Sequence, residues 1–113
     1  MDGAVTHWDH ARAVLPFRDI SEDEVLQRLS DARAQLWTTG FSAAVTEITD
    51  DNWLHVVTMG GVMADVAEVL PAIERFAKFS KCQGVRLEGR AGWRRALKKY
   101  GYAAVGEEVV KFL

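Results

Sequence analysis

Glu47 and His55 are the pair of residues best placed for proton transfer. Each lies in a run of β-formers, Phe41 to Thr49 and Trp53 to Met59, and the turn residues Asp50-Asp51-Asn52 join the two runs. An antiparallel connection makes them cross-strand neighbours. A carboxylate beside an imidazole can take a proton from a substrate, but the pair reads first as a structural one and only second as a base. His7 and His10 flank Trp8 and Asp9, a spacing that brings two imidazoles together on a helix. A metal site would need a third ligand, and the sequence offers none of known proximity, so no metal is expected. Cys82 is the single cysteine. It excludes an intrachain disulfide or a cysteine metal cluster, and reads as a small residue near a helix end rather than as a reactive thiol.

A different chemistry is written between Arg90 and Lys99. Arg90, Arg94 and Lys98 recur at i, i+4 and i+8, flanked by Arg86, Arg95 and Lys99, with Trp93 and Tyr100 beside them. On a helix this is a basic ridge. It fits a solvated surface, a dock for an acidic protein, or a phosphate contact of a nucleotide or nucleic acid. The isoelectric point near 5.9 argues against nonspecific DNA binding as the main role. The net charge of −2 conceals an asymmetry: residues 1–80 hold 13 acids against 6 bases, and residues 81–113 hold 8 bases against 3 acids. Such polarity marks either a face for an anionic partner or two halves lying against each other.

The elements that position these groups follow from pattern. Ala4 to Val14 fits a short helix carrying Trp8, Ala11 and Leu15, closed by Pro16. Ser21-Glu22-Asp23-Glu24 is a capping box, and Val25, Leu26, Leu29 and Ala32 give the apolar stripe of a helix over 22–34. Three strands, 35–38, 41–49 and 53–59, form an antiparallel meander, interrupted at Thr39-Gly40 and at Asp50-Asp51-Asn52. Gly60-Gly61 stops it. The segment from Val62 to about Ser80 has helical periodicity but contains Pro71, which predicts two helices or one kinked at Leu70. Val85 and Leu87 give a short strand. Trp93, Ala96, Leu97 and Tyr100 give a helix closed by Gly101, and Val105 to Leu113 reads as a final strand whose centre is broken only by Glu107 and Glu108. One α+β (mixed α/β) domain over residues 1–113 is expected.

The block from Val85 to Leu113, with its Gly89-Arg90-Ala91-Gly92-Trp93 step and its Gly101-Tyr102 break, resembles the C-terminal half of the GNAT acyltransferase superfamily. It is most similar to the small, divergent GNAT-like proteins of tailed phages and prophages. The resemblance implies a strongly twisted, mostly antiparallel sheet with covering helices. It also implies where acetyl-coenzyme A would sit: its pyrophosphate on backbone N–H groups at Gly60, Gly61 and Val62, the start of the helix after the central strand. The family's Arg or Gln and its glycine spacing are missing from that loop. Where active relatives have a Tyr that protonates the leaving thiolate this chain has Leu97, and Arg90 stands in place of an Asn; Tyr100 could substitute only on a rotated helix. Acidic residues on the central strands serve as bases toward amines in such enzymes, a role open to Glu47 with His55.

The expected function is therefore noncatalytic, with no cofactor: an accessory or structural protein of virion assembly that docks another protein through Arg90, Trp93, Arg94 and Lys98. The alternatives are an acyl-coenzyme A-dependent N-acetyltransferase with an altered loop, and a small-ligand sensor. No apolar run reaches 18 residues and the N-terminus lacks a signal-peptide pattern. A cytoplasmic location, with packaging into a virion as a later step, is the expectation.

Overall fold

The computed structural model describes residues 2–17, 20–88 and 91–113, those at 2–7, 63–67 and 91–92 by their backbone alone. Four helices and six strands follow in the order α1 (Asp2–Val14), α2 (Glu22–Ser30), β1 (Gln35–Thr39), β2 (Ser42–Ile48), β3 (Leu54–Gly60), α3 (Met63–Phe79), β4 (Gly84–Glu88), α4 (Ala91–Lys98), β5 (Ala103–Val105) and β6 (Glu108–Phe112). The Cα radius of gyration of 13.3 Å is that of one compact globule of this length.

The strands make one open sheet in the order β1-β2-β3-β4-β6-β5. Only β3 and β4 are parallel, joined through α3; every other neighbouring pair is antiparallel. Side chains of successive strand residues point to opposite faces. Ala43 and Val45 accordingly pack with Ala11, Leu15 and Val25 of the α1–α2 side. Ala44, Leu54, Val56, Val85, Leu87 and Val109 face Leu70, Ile73 and Ala77 of α3 and Leu97 of α4. The sheet is thus a wall between two apolar clusters.

Three helices end in the same hydrogen-bond pattern, and only one of them uses glycine. Tyr102 N–H reaches Leu97 O at 3.3 Å and Gly101 N–H reaches Lys98 O at 3.1 Å, with Gly101 at φ 94°. This is a Schellman cap. The same two bonds close α2, from Arg33 to Arg28 and from Ala32 to Leu29, and α3, from Cys82 to Ala77 and from Lys81 to Lys78. Their left-handed residues are Ala32 (φ 58°) and Lys81 (φ 61°). A side chain there costs about 1–2 kcal/mol relative to glycine, so the sequence gives no stop signal. The helix expected over 22–34 therefore ends at Ser30, which frees Gln35 to begin β1. Its start is as read: the Ser21 side chain accepts a hydrogen bond from Glu24 N–H at 3.1 Å.

One further expectation is narrowed, from two helices or one kinked helix to a single helix, and one is corrected. Pro71 lies within one α-helix, Met63–Phe79, and does not divide it. The ring is on the exposed side, and buried Leu70, Ile73 and Ala77 hold the adjoining turns against the sheet. The final strand is in fact the hairpin β5–β6, with Val105 opposite Glu108. Its two-residue loop is Gly106-Glu107, with φ positive at Gly106 (63°) and not at Glu107. Gly first in a two-residue loop is a hairpin signal, and it adds the sixth strand.

Candidate functional site

Parallel β3 and β4 stay paired only from Leu54–Val85 to Val56–Leu87. Beyond that point β3 runs on to Gly60 while β4 ends at Glu88. The strands separate at their carboxyl ends, and a cleft of about 400 Å³ opens there. Crevices of this kind are the usual ligand sites of sheets with parallel strands. Its floor is apolar, from Val56, Met59 and Leu87; α4 contributes Trp93 and Arg94; Glu88 and Glu107 supply two carboxylates.

Several of the polar groups are already engaged. Thr58 Oγ1 donates to Pro16 O at 3.1 Å, and Arg94 Nη2 donates to Gly106 O at 2.9 Å, tying α4 to the β5–β6 turn. Among the described residues, no Cys, His or Tyr lines the cleft. The arrangement suits holding a ligand by apolar contact and carboxylate charge, and it contains neither a thiol nucleophile nor a phenolic acid.

The glycine loop is packed against its own chain. A Cβ at Gly60 would overlap the Val14 carbonyl at the end of α1, and a Cβ at Gly61 would overlap Phe41 O and Ser42 at the start of β2. Gly61 also has φ 114°, so both glycines are explained by close packing and backbone conformation. Val62 is the N-cap residue of α3, with no side-chain capping bond. Its carbonyl accepts from Ser42 Oγ at 2.8 Å.

Leu97 is fully buried, within the apolar layer between α4 and the sheet. Tyr100 is partly buried against the same layer, with Lys99 Nζ 5.4 Å from its ring centre, and does not line the cleft. The other tyrosine near this helix end, Tyr102, donates to Glu74 Oε2 at 2.8 Å. Burial, reinforced by Glu74, pushes its pKa far above the ordinary phenol value.

Glu47 and His55 are cross-strand partners, with Nδ1 and Oε1 4.0 Å apart. Glu47 Oε1 also accepts a hydrogen bond from Arg28 Nη1 at 2.9 Å, so that oxygen is already engaged. Burial pushes the His55 pKa below its ordinary value of 6.5, with Glu47 opposing and Arg86 adding to the shift. Neither residue lines the cleft. Cys82 is buried, and burial raises its thiol pKa, which disfavours the reactive thiolate. His7 and His10 both belong to α1, but the side chain of His7 is outside the described residues. No group of three His, Cys, Asp or Glu side chains able to hold a metal ion occurs among the described residues.

The basic ridge is divided. Arg90 lies outside the described residues. Trp93 is partly buried and lines the cleft. Arg95 and Lys98 are exposed and, with Arg94, line a second groove of about 540 Å³ over Tyr102, Ala103 and Ala104. Arg94 is thus shared by both concavities. Sequence reasoning missed Glu88 and Glu107, because they converge only through the β3–α3–β4 crossover and the terminal hairpin. The one available signal was Gly106 preceding Glu107. No family model, curated protein or solved structure matches the chain.

Proposed function

We propose that this chain is a noncatalytic GNAT-like domain that works as a protein-docking module. The setting that the resemblance implies is virion assembly in a tailed phage or prophage. The order of meander, crossover helix, strand, helix and terminal strands supports the GNAT-like reading, as does a sheet that is antiparallel except at β3–β4.

The observation that carries the noncatalytic reading is Leu97, fully buried in hydrocarbon, at the position where the resemblance expects a proton donor. An aliphatic side chain cannot protonate a thiolate, and Tyr100 does not line the cleft. Close packing against Val14, Phe41 and Ser42, where a Cβ would overlap, already accounts for the two glycines without a pyrophosphate. A second reading, acyl-coenzyme A-dependent N-acetyltransferase, draws on one observation: the cleft at the divergence of β3 and β4 carries Glu88 and Glu107, and a carboxylate there is able to accept a proton from an amine.

Titration calorimetry with acetyl-coenzyme A separates the two. The docking reading expects a dissociation constant weaker than about 100 μM, equivalent to about 5.5 kcal/mol. Low-micromolar binding together with acetyl transfer to an amine would replace it with the enzyme.

A further inference from the structure

The docking reading leaves open which surface docks, and what. Strand β5 forms one end of the sheet, and all three of its residues, Ala103, Ala104 and Val105, are exposed. An open edge offers unpaired backbone N–H and C=O groups to another strand, and proteins commonly blunt such edges with charge, proline or a covering element. The side chains of β5 include neither charge nor proline. In a hairpin closed by a two-residue loop the pair nearest the turn, here Val105–Glu108, is hydrogen-bonded, and bonding alternates along the strand. Ala104 is therefore the residue whose N–H and C=O point away from β6.

Beside this edge lies the groove of about 540 Å³, with Tyr102, Ala103 and Ala104 on one side and Arg95 and Lys98 on the other. Both cations are exposed, and neither has a partner among the described residues. An open strand edge is what β-strand addition uses, with backbone bonds providing affinity and neighbouring side chains selection; here the neighbouring side chains are cationic, which favours an acidic occupant.

We propose that the β5 edge is a docking site for an extended, acidic segment of a partner protein, which adds as a strand at Ala104 and places carboxylates against Arg95 and Lys98. This proposal rests on the docking reading and specifies its surface. Charge selects the occupant. A second copy of this chain, paired edge to edge about a two-fold axis, would bring its own Arg95 and Lys98 into the same neighbourhood, and like charges oppose that contact.

The test uses the full chain and a fluorescent ten-residue peptide of alternating glutamate and valine. Anisotropy should show saturable binding that weakens as salt rises, with at least tenfold weaker binding of the lysine–valine counterpart. Ala104→Pro removes the outward N–H at an edge position where proline is tolerated, and should abolish binding; Ala104→Val keeps the N–H and should retain it. Arg95→Glu with Lys98→Glu should weaken binding at least tenfold. Far-ultraviolet circular dichroism and the melting temperature of each variant must match the parent for the comparison to count; should Ala104→Pro unfold, the same peptide N-methylated at alternate residues serves as the backbone-blocked control. Equal binding of the lysine peptide, of a ten-residue oligothymidylate, or of the N-methylated peptide would overturn the proposal, as would a dimer in size-exclusion chromatography that the Ala104→Pro variant dissolves. Loss of this site leaves the noncatalytic reading standing, because the acetyl-coenzyme A titration decides that separately.

Discussion

The two faces of the sheet differ in how much of each is roofed. The face under α3 and α4 is apolar from Trp37 on β1 to Val109 on β6, and Leu54, Leu70, Ile73, Val85 and Leu97 are fully buried there or nearly so. The opposite face is roofed by α1 and α2 mainly over β1 and β2, where Ala43 and Val45 are buried. At the end of β2 and over the remaining strands it carries charge. Glu47 meets Arg28 and His55; Arg86 meets Asp51 at 3.0 Å and Glu108 at 3.9 Å. The Trp53 ring centre lies 5.9 Å from Arg86 Cζ and 5.1 Å from that of Phe112, a residue 71% exposed. Stability belongs to the roofed parts of both faces more than to the charged part of the second, since hydrocarbon burial contributes far more per residue than exposed ion pairs do.

That difference is open to direct test. The largest effect should come from Leu97→Ala, at about 2–5 kcal/mol, a large fraction of the total stability of a domain of this size. Trp93→Ala on the same helix should cost less, because part of its ring faces the cleft rather than the core. Urea denaturation of both variants measures this order, and the reverse result would make the cleft wall part of the core.

A smaller effect is expected on the charged face. Arg86 retains 25% side-chain exposure and its partners Asp51 and Glu108 are 58% and 43% exposed. Arg86→Ala should therefore cost about 0–1 kcal/mol, and less at high salt. A loss comparable to that of Leu97→Ala would show the open face to be a structural core of its own.

The smallest effect concerns His55. Its pKa is lowered mainly by burial, so folding favours the neutral ring. The sign follows: this contribution is fully present above the ordinary value of 6.5 and is lost as pH falls through the lower folded value. Chemical denaturation between about pH 7 and 5 should show declining stability, with a shallower slope in His55→Gln. An unchanged slope in that variant would assign the acid sensitivity to the carboxylates.

Much of the fold was legible because its signals are local. Ser21 before Glu24, Pro16 after Leu15, Asn52 in its turn and Gly101 after Tyr100 each act within a few residues. Where the signal was missed or absent, the reading failed in a specific way. Gly106-Glu107 marked a hairpin, yet two glutamates in an otherwise apolar run read as a mere interruption. Ala32 and Lys81 adopt left-handed conformations that no local rule favours, and only the packing of Ala34 and Cys82 beyond them fixes those helix ends. Pro71 reads as a breaker until its solvent-facing position is known.

The candidate site was less legible than the fold. Its two carboxylates come from β4 and the β5–β6 loop, its aromatic wall from α4 and its floor from β3, and no spacing along the chain brings these together. The basic periodicity of α4 was written in the sequence, but Trp93, Arg94 and Lys98 were divided between two concavities by the rotation of that helix against the sheet. By itself the sequence determined the helices, the strands, the apolar faces and the charge of each half, since these depend on neighbouring residues and on periodicity. Only the tertiary structure decided which strands run parallel, where β3 leaves β4, that α1 and the start of β2 leave no room for a Cβ at Gly60 and Gly61, and that the β5 edge lies open beside Arg95 and Lys98. Those depend on contacts between residues distant in the chain, whose geometry is fixed only when the core packs.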